Sequence, residues 1–292
     1  MSSLYTLNEG TAPLIINVPH AGTYVPPDIL ADLTPIAQTL ADTDWHVPLL
    51  YEFALAAGAT LMAATHSRYV IDLNRDPGNA ALYPGADNTE LCPTRSFHNE
   101  DLYLTKRAPS EDAIKQRREQ YWTPYHAELA RQIARVKQQH GYALLLDAHS
   151  IASVLPRFFD GRLPDLNLGT ADGASCDAGL QNTAWQVLNG SEHFSSIVNG
   201  RFKGGYITRH YGRPGEQLYA LQLEITQRAY MDEGAPYAWN PTQAVLLIEV
   251  LKRLVETLLT CVSRRSDNDL HRSETSIDGR LAPLATAPES AQ

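Results

Sequence analysis

The chain has 292 residues, 43% hydrophobic and 20% charged, with a formal net charge of −9. That composition supports a large core and excludes global disorder, and the acidic balance excludes a general nucleic-acid binder, which needs a basic face. No apolar run reaches the ~18 residues of a membrane span, and the opening MSSLYTLNEG lacks the basic and apolar stretches of a signal peptide, so no membrane association is expected.

Three scattered cysteines, Cys92, Cys176 and Cys261, make no disulfide framework, and the expected compartment is the reducing cytoplasm. Residues 13–18 read as a buried strand running into the turn Pro19-His20-Ala21-Gly22. Helical spacing over 34–56, with Ile36, Leu40, Leu49, Leu50 and Phe53 apolar, stops at Gly58. Thr60 to Ala64 and Tyr69 to Leu73 read as short strands, followed by the turn residues Asn74-Arg75-Asp76-Pro77-Gly78. Residues 79–109 form a long irregular stretch, a lid or an interface; such lengths in compact domains usually belong to function.

Residues 110–140 are helical, restarted at Thr123-Pro124 and ended by Gly141. Tyr142 to Asp147 is a continuous apolar run, the pattern of a strand buried on both faces, and it ends at Asp147-Ala148-His149-Ser150. Residues 161–177 read as loop, with Cys176 in it, 178–190 as helix, 196–199 as strand, and 200–215, with five glycines and three arginines, as loop again. Leu218 to Ile225 is a strand carrying Glu224 near its end, and Asn240-Pro241 starts an amphipathic helix reaching about Val262. Residues 264–292 read as a disordered polar tail behind a single catalytic domain over 1–263. Alternating strands and helices predict an α/β fold: one doubly wound, mostly parallel or mixed sheet flanked by helices.

Ligands of such sheets sit beyond the carboxyl ends of the strands, which turns His20, His149 and Glu224 into one candidate site. Imidazoles suit zinc, and a catalytic zinc takes three protein ligands and a water. The small neighbours Ala21, Gly22 and Ala148 leave room for an ion and a substrate. Asp42 and Asp44 are the nearest carboxylates, as ligands or as helix caps; Asp147 is read foremost as the partner that orients His149. Glu224, costly at a buried strand end without a task, fits a general base beside a metal-activated water. Arg68 and Arg75 bracket the Tyr69–Leu73 segment, and Arg201, Arg209 and Arg213 lie in the glycine-rich stretch; arginines around a metal in an acidic protein predict a small anionic substrate. Gly-x-Ser-x-Gly, P-loop, Gly-x-Gly-x-x-Gly, His-Glu-x-x-His and Cys-x-x-Cys motifs do not occur.

Several stretches together resemble the N-formylglutamate amidohydrolase (deformylase) family. They are Val-Pro-His20-Ala-Gly with Pro26, Asp42-Thr-Asp44-Trp-His, Ser67 to Arg75, Tyr125-His126, Leu-Leu-Leu-Asp147-Ala-His149-Ser, Gly161 to Thr170, Asn199 to Gly205, and Leu-Gln-Leu-Glu224. The likeness runs from about residue 5 to residue 262. That family is similar in fold to the zinc carboxypeptidases and to the aspartoacylase and succinylglutamate desuccinylase group.

The resemblance implies one divalent metal, Zn2+ being the best match, on His20, His149 and a carboxylate, with Glu224 as general base. It further implies Asn74 and Arg75 as a substrate-facing pair, and Arg68 or a nearby donor on the oxyanion. Arg75, Arg201, Arg209 or Arg213 would meet the substrate carboxylates. Carboxypeptidase-type sites have a Glu three residues after the first His, where this chain has Thr23; Asp44 is therefore chosen as the third ligand. The implied reaction takes N-formyl-L-glutamate and water to formate and L-glutamate, the last step of a histidine degradation route. A related amidohydrolase for another N-acyl amino acid and a non-catalytic amino-acid-binding module are the alternatives. The sequence carries no signal for an oligomeric state.

Overall fold

A computed structural model describes residues 3–278 apart from 83 and 86. Its strands are β1 (Tyr5–Asn8), β2 (Leu14–Val18), β3 (Thr60–Ala64), β4 (Ala143–Ile151), β5 (Leu166–Gly169), β6 (Ser196–Val198) and β7 (Leu218–Thr226). They form one sheet in the order β1-β3-β2-β4-β7-β5-β6. The central strands β3, β2, β4 and β7 run parallel, β1 and β5 join them antiparallel, and β6 pairs parallel with β5. The sheet is therefore mixed, with a parallel centre, as the α/β reading expects.

The helices are α1 (Pro27–Leu30), α2 (Val47–Leu50), α3 (Phe53–Ala56), α4 (Glu111–Arg117), α5 (Thr123–His140), α6 (Ala178–Asn189), α7 (Tyr206–Tyr211) and α8 (Pro241–Asp278). They cover both faces of the sheet. Because strand side chains alternate, Leu14, Ile16 and Val18 of β2 join Leu144 and Leu146 of β4 under α6 and α8. Ile15, Ala143 and Leu145 face the opposite layer, with Tyr125, Leu129, Ile133 and Val136 of α5. Burial on both faces explains the unbroken apolar runs in the sequence.

Several segments differ from the sequence reading. The 34–56 helix is broken: Leu40 and His46 adopt left-handed φ values of 53° and 61°, leaving a short 3₁₀ turn and the separate helices α2 and α3. The backbone N–H of Asp44 instead donates to the His20 carbonyl at 3.0 Å, pulling the turn onto the sheet end. Tyr69–Leu73 is buried but is not a strand. Its groups are satisfied from loops and helices: the Tyr103 hydroxyl donates to the Tyr69 carbonyl and Arg117 to the Val70 carbonyl. β1, β5 and α7 are too short to leave a periodic pattern. Helix α8 continues to Asp278, past Val262, since no glycine or proline interrupts 263–278; residues 279–292 of the expected tail lie outside the described residues. Cys176 lies in a loop as read but is buried in the core, and no disulfide joins the cysteines among the described residues. No helix among the described residues is long and apolar enough to cross a membrane.

A single π-turn, Arg118–Trp122, joins α4 to α5. Pro124 has no N–H to return to the carbonyl four residues earlier, which accounts for the irregular turn at this point. Two residues on, His126 is buried: its Nε2–H donates to the Leu73 carbonyl at 2.8 Å, and Nδ1 accepts from the Tyr211 hydroxyl at 2.9 Å. Burial drives its pKa down to about 4. In the unfolded chain it titrates near 6.5, so the unfolded state takes up the proton first as pH falls. His126 therefore costs the fold about 2 kcal/mol between pH 7 and pH 5. Urea unfolding at the two pH values should show a steeper loss in the wild type than in His126→Gln. Equal losses would contradict the neutral buried ring.

Candidate metal centre and active site

The parallel register of β4 and β7 sets His149 directly beside Glu224 and Asp147 beside Gln222, on the α5 face of the sheet. His149 thus lies within β4 rather than past it, and Glu224 lies near the end of β7 as the sequence reading has it. His20 follows β2, and Asp44 comes from the turn that its own N–H anchors to His20. That turn is held further by Gln227 on the Thr43 carbonyl and the Tyr230 hydroxyl on the Trp45 carbonyl. A Cβ at Gly22 would collide with the His66 carbonyl, so this glycine serves the packing of the His20 turn rather than access for a ligand.

His20, Asp44 and His149 converge, each offering a ligand atom within 4.8 Å of the others. His149 Nδ1 is 3.0 Å and His20 Nδ1 3.7 Å from Asp44 Oδ2. The opposite nitrogens are both taken by carboxylates: His20 Nε2–H donates to Asp72 Oδ1 at 2.7 Å and His149 Nε2–H to Asp147 Oδ2 at 2.9 Å. That fixes the tautomers and aims both Nδ1 atoms at one point. His20 Nδ1 is buried without a hydrogen-bond partner among the described residues. A buried lone pair facing a second imidazole and an ionised carboxylate is a donor set suited to a divalent cation, and two imidazoles with one carboxylate fit zinc.

The electrostatics agree with that donor set. Burial alone would raise the Asp44 carboxyl, but the adjacent His149 and His20 rings hold it well below the usual range. Burial would lower His149, but Asp147 and Asp44 raise it well above 6.5, so a proton occupies the place that a cation would take. Burial would also raise Asp72; Arg68, with His20, holds it well down instead. Glu224 moves the other way. It is buried and pushed up to about 7 by that burial, with His149 pulling it down and Asp44 pushing it up.

Asp42 does not join the cluster; its Oδ2 accepts the Phe97 N–H at 2.9 Å and anchors the 79–109 segment. Asp147 sits behind His149, where Asn17 also donates to it at 2.8 Å and Tyr125 in turn donates to Asn17 at 2.7 Å. Asp72 is the residue that sequence reasoning missed. The signal was present, since Asp72 stands four residues after Arg68, and the two pair at 2.5 Å.

The cluster floors a pocket with Arg68, Arg75 and Arg201 in its wall. Arg68 is held by Asp72 and lies over the Phe97 ring, 4.5 Å from its centroid. Arg75 reaches Thr89, and Arg201 Nε donates to the Phe158 carbonyl at 2.8 Å.

Of the expected substrate residues, Asn74 lines the pocket with its amide held by the protein, and two arginines lie away from it. Asn74 borders the pocket, yet its amide serves the protein: Nδ2 donates to Asp147 at 3.2 Å and Oδ1 accepts the Ile207 N–H at 2.8 Å. Gly205 packs against that amide so closely that a Cβ would overlap it. Arg209 lies on α7, its Nε donating to Gly204, and borders a separate depression with Asp76 and His210. Arg213 precedes β7 and so sits at the opposite end of the sheet from Glu224, 3.6 Å from Glu216.

The family model for N-formylglutamate amidohydrolase matches residues 12–231. The chain is 47% identical to an N-formylglutamate deformylase of Pseudomonas aeruginosa, over 89% of this chain and 97% of that one. It is 45% identical to an N-formylglutamate deformylase of Pseudomonas putida, over 91% and 99%. A crystal structure of an N-formylglutamate amidohydrolase from Ralstonia eutropha JMP134 superposes with a TM-score of 0.72 at 28% identity, covering 89% of this chain and 97% of that one.

Proposed function

Because the chain belongs to the N-formylglutamate amidohydrolase family, we propose that it hydrolyses N-formyl-L-glutamate to formate and L-glutamate, with a divalent ion, zinc best of all, held by His20, Asp44 and His149. The observation that carries the metal reading is the pair of Nδ1 atoms, one of them without a partner, facing Asp44 in front of two carboxylate-backed imidazoles. Such an ion supplies a Lewis acid and brings the pKa of a water down to ~7.

Glu224 takes the proton of the attacking water as its oxygen bonds to the formyl carbon. Arg68, locked in place by Asp72, faces the negative charge that develops on the carbonyl oxygen, a preorganised cation that needs no rearrangement. As the C–N bond breaks, Glu224 returns the proton to the departing amine. Burial of Glu224 favours its neutral form, which suits the return of the proton to the amine. Arg75 and Arg201 meet the two carboxylates of the substrate. The activity would close a histidine degradation route.

Purified protein given N-formylglutamate should release formate and glutamate in equal amounts. N-acetylglutamate should react more slowly, because its acyl group carries an added methyl and its carbonyl carbon is less electrophilic than a formyl carbon. Equal turnover of the two would move the substrate assignment to a wider class of N-acyl amino acids.

A further inference from the structure

Three side chains on one flank of the α4–α5 helix grip alternate carbonyls of a single irregular segment. Arg118 Nη1 donates to the Pro77 carbonyl at 3.0 Å, Trp122 Nε1 to the Arg75 carbonyl at 3.2 Å, and His126 Nε2 to the Leu73 carbonyl at 2.8 Å. The donors are four residues apart and the acceptors two. A four-residue helical step advances ~6 Å, and two residues of open chain reach at most ~7 Å, so the spacings match. The intervening Asn74 carbonyl faces away, toward the Tyr206 N–H of α7 at 3.4 Å.

In an uninterrupted α-helix, residues eight apart are rotated by ~80° about the axis, and Arg118 would turn off the face that His126 presents. The π-turn at Arg118–Trp122 winds more slowly and keeps the three donors in line. Trp122 and His126 stack with ring centroids 3.7 Å apart, so the two central donors brace each other.

We propose that Arg118, Trp122 and His126 form a clamp that positions Arg75 for the substrate carboxylate, and that this is what the π-turn is for. The inference rests on the reading of Arg75 as a carboxylate-binding residue. The three are positioning residues: none is needed to touch substrate. The clamp fixes the backbone of the Arg75 turn, and the Arg75 side chain, held at Thr89, borders the pocket.

The test is steady-state kinetics of the metal-loaded protein on N-formylglutamate, with L-glutamate binding measured by calorimetry. Trp122→Phe keeps the ring and removes the N–H; Arg118→Gln removes the half-buried outer donor with less risk to folding. Each should raise KM about ten-fold and weaken glutamate binding about as much, with kcat within two-fold of wild type. Arg75→Gln sets the upper bound and should raise KM at least as far. If both clamp variants keep wild-type KM and glutamate affinity while Arg75→Gln loses them, the clamp is overturned and the Arg75 reading stands. If Arg75→Gln itself leaves KM unchanged, the Arg75 reading falls and the clamp with it. A fall in kcat equal to the rise in KM, with metal content lowered, would assign the three donors to the metal site instead.

Discussion

Glu224→Gln is expected to lower kcat by about 10²–10⁴-fold while metal content stays at the wild-type level. The amide keeps the shape of the side chain and can still accept from Gln222, whose Nε2 lies 3.3 Å from Glu224 Oε2. What it loses is the capacity to take a proton and give it back. Glu224 is outside the His20–Asp44–His149 cluster, so the ligand set is untouched. The substitution also removes an unfavourable buried carboxylate: with a folded pKa of about 7 against an ordinary ~4.5, the charged form destabilises the fold as pH rises through that window. The variant should therefore be no less stable than wild type at pH 8 in a thermal melt. An inactive but well-folded, metal-replete variant is the expected result. Near-wild-type turnover with metal retained would take the general-base role from Glu224.

The second large effect separates two aspartates two residues apart. Asp44→Ala removes the carboxylate that both Nδ1 atoms face, and should lower metal affinity by more than the ~10–100-fold typical of losing an outer partner. Asp42→Ala should leave metal content unchanged and destabilise the fold by about 1–3 kcal/mol, because the buried Phe97 N–H loses its acceptor. Elemental analysis of both variants, with urea unfolding, reads the two effects independently. Equal metal content in Asp44→Ala and Asp42→Ala would show that the wrong carboxylate has been assigned. Since the neighbouring carboxylates keep His149 protonated without a cation, metal binding should release a proton and weaken as pH falls.

Much of this site was legible in the sequence because strands announce themselves. The apolar runs before His20 and before Asp147 are continuous, Leu218 to Ile225 reads as a strand with Glu224 near its end, and the rule that ligands gather at carboxyl ends of parallel strands placed the three together. What was not legible depends on contacts distant in sequence. Asp72 belongs to His20 only because a non-strand segment, satisfied by Tyr103 and Arg117, brings it there. Leu40 and His46 turn left-handed where the apolar spacing reads helix, which puts Asp44 on a turn rather than in a helix cap. Arginines were the least informative residues: five were candidates by composition, and their places follow from topology. Arg213 precedes β7 and falls at the far end of the sheet, whereas Arg201 reaches the pocket from the loop before α7.

The account stands most directly on one assay: glutamate release from N-formylglutamate by the purified protein, before chelation, after chelation, and after restoring zinc. The expected result is activity that is lost with the metal and regained on its return, in proportion to the metal bound. Full activity in protein shown by elemental analysis to hold no metal would contradict the assignment of His20, Asp44 and His149.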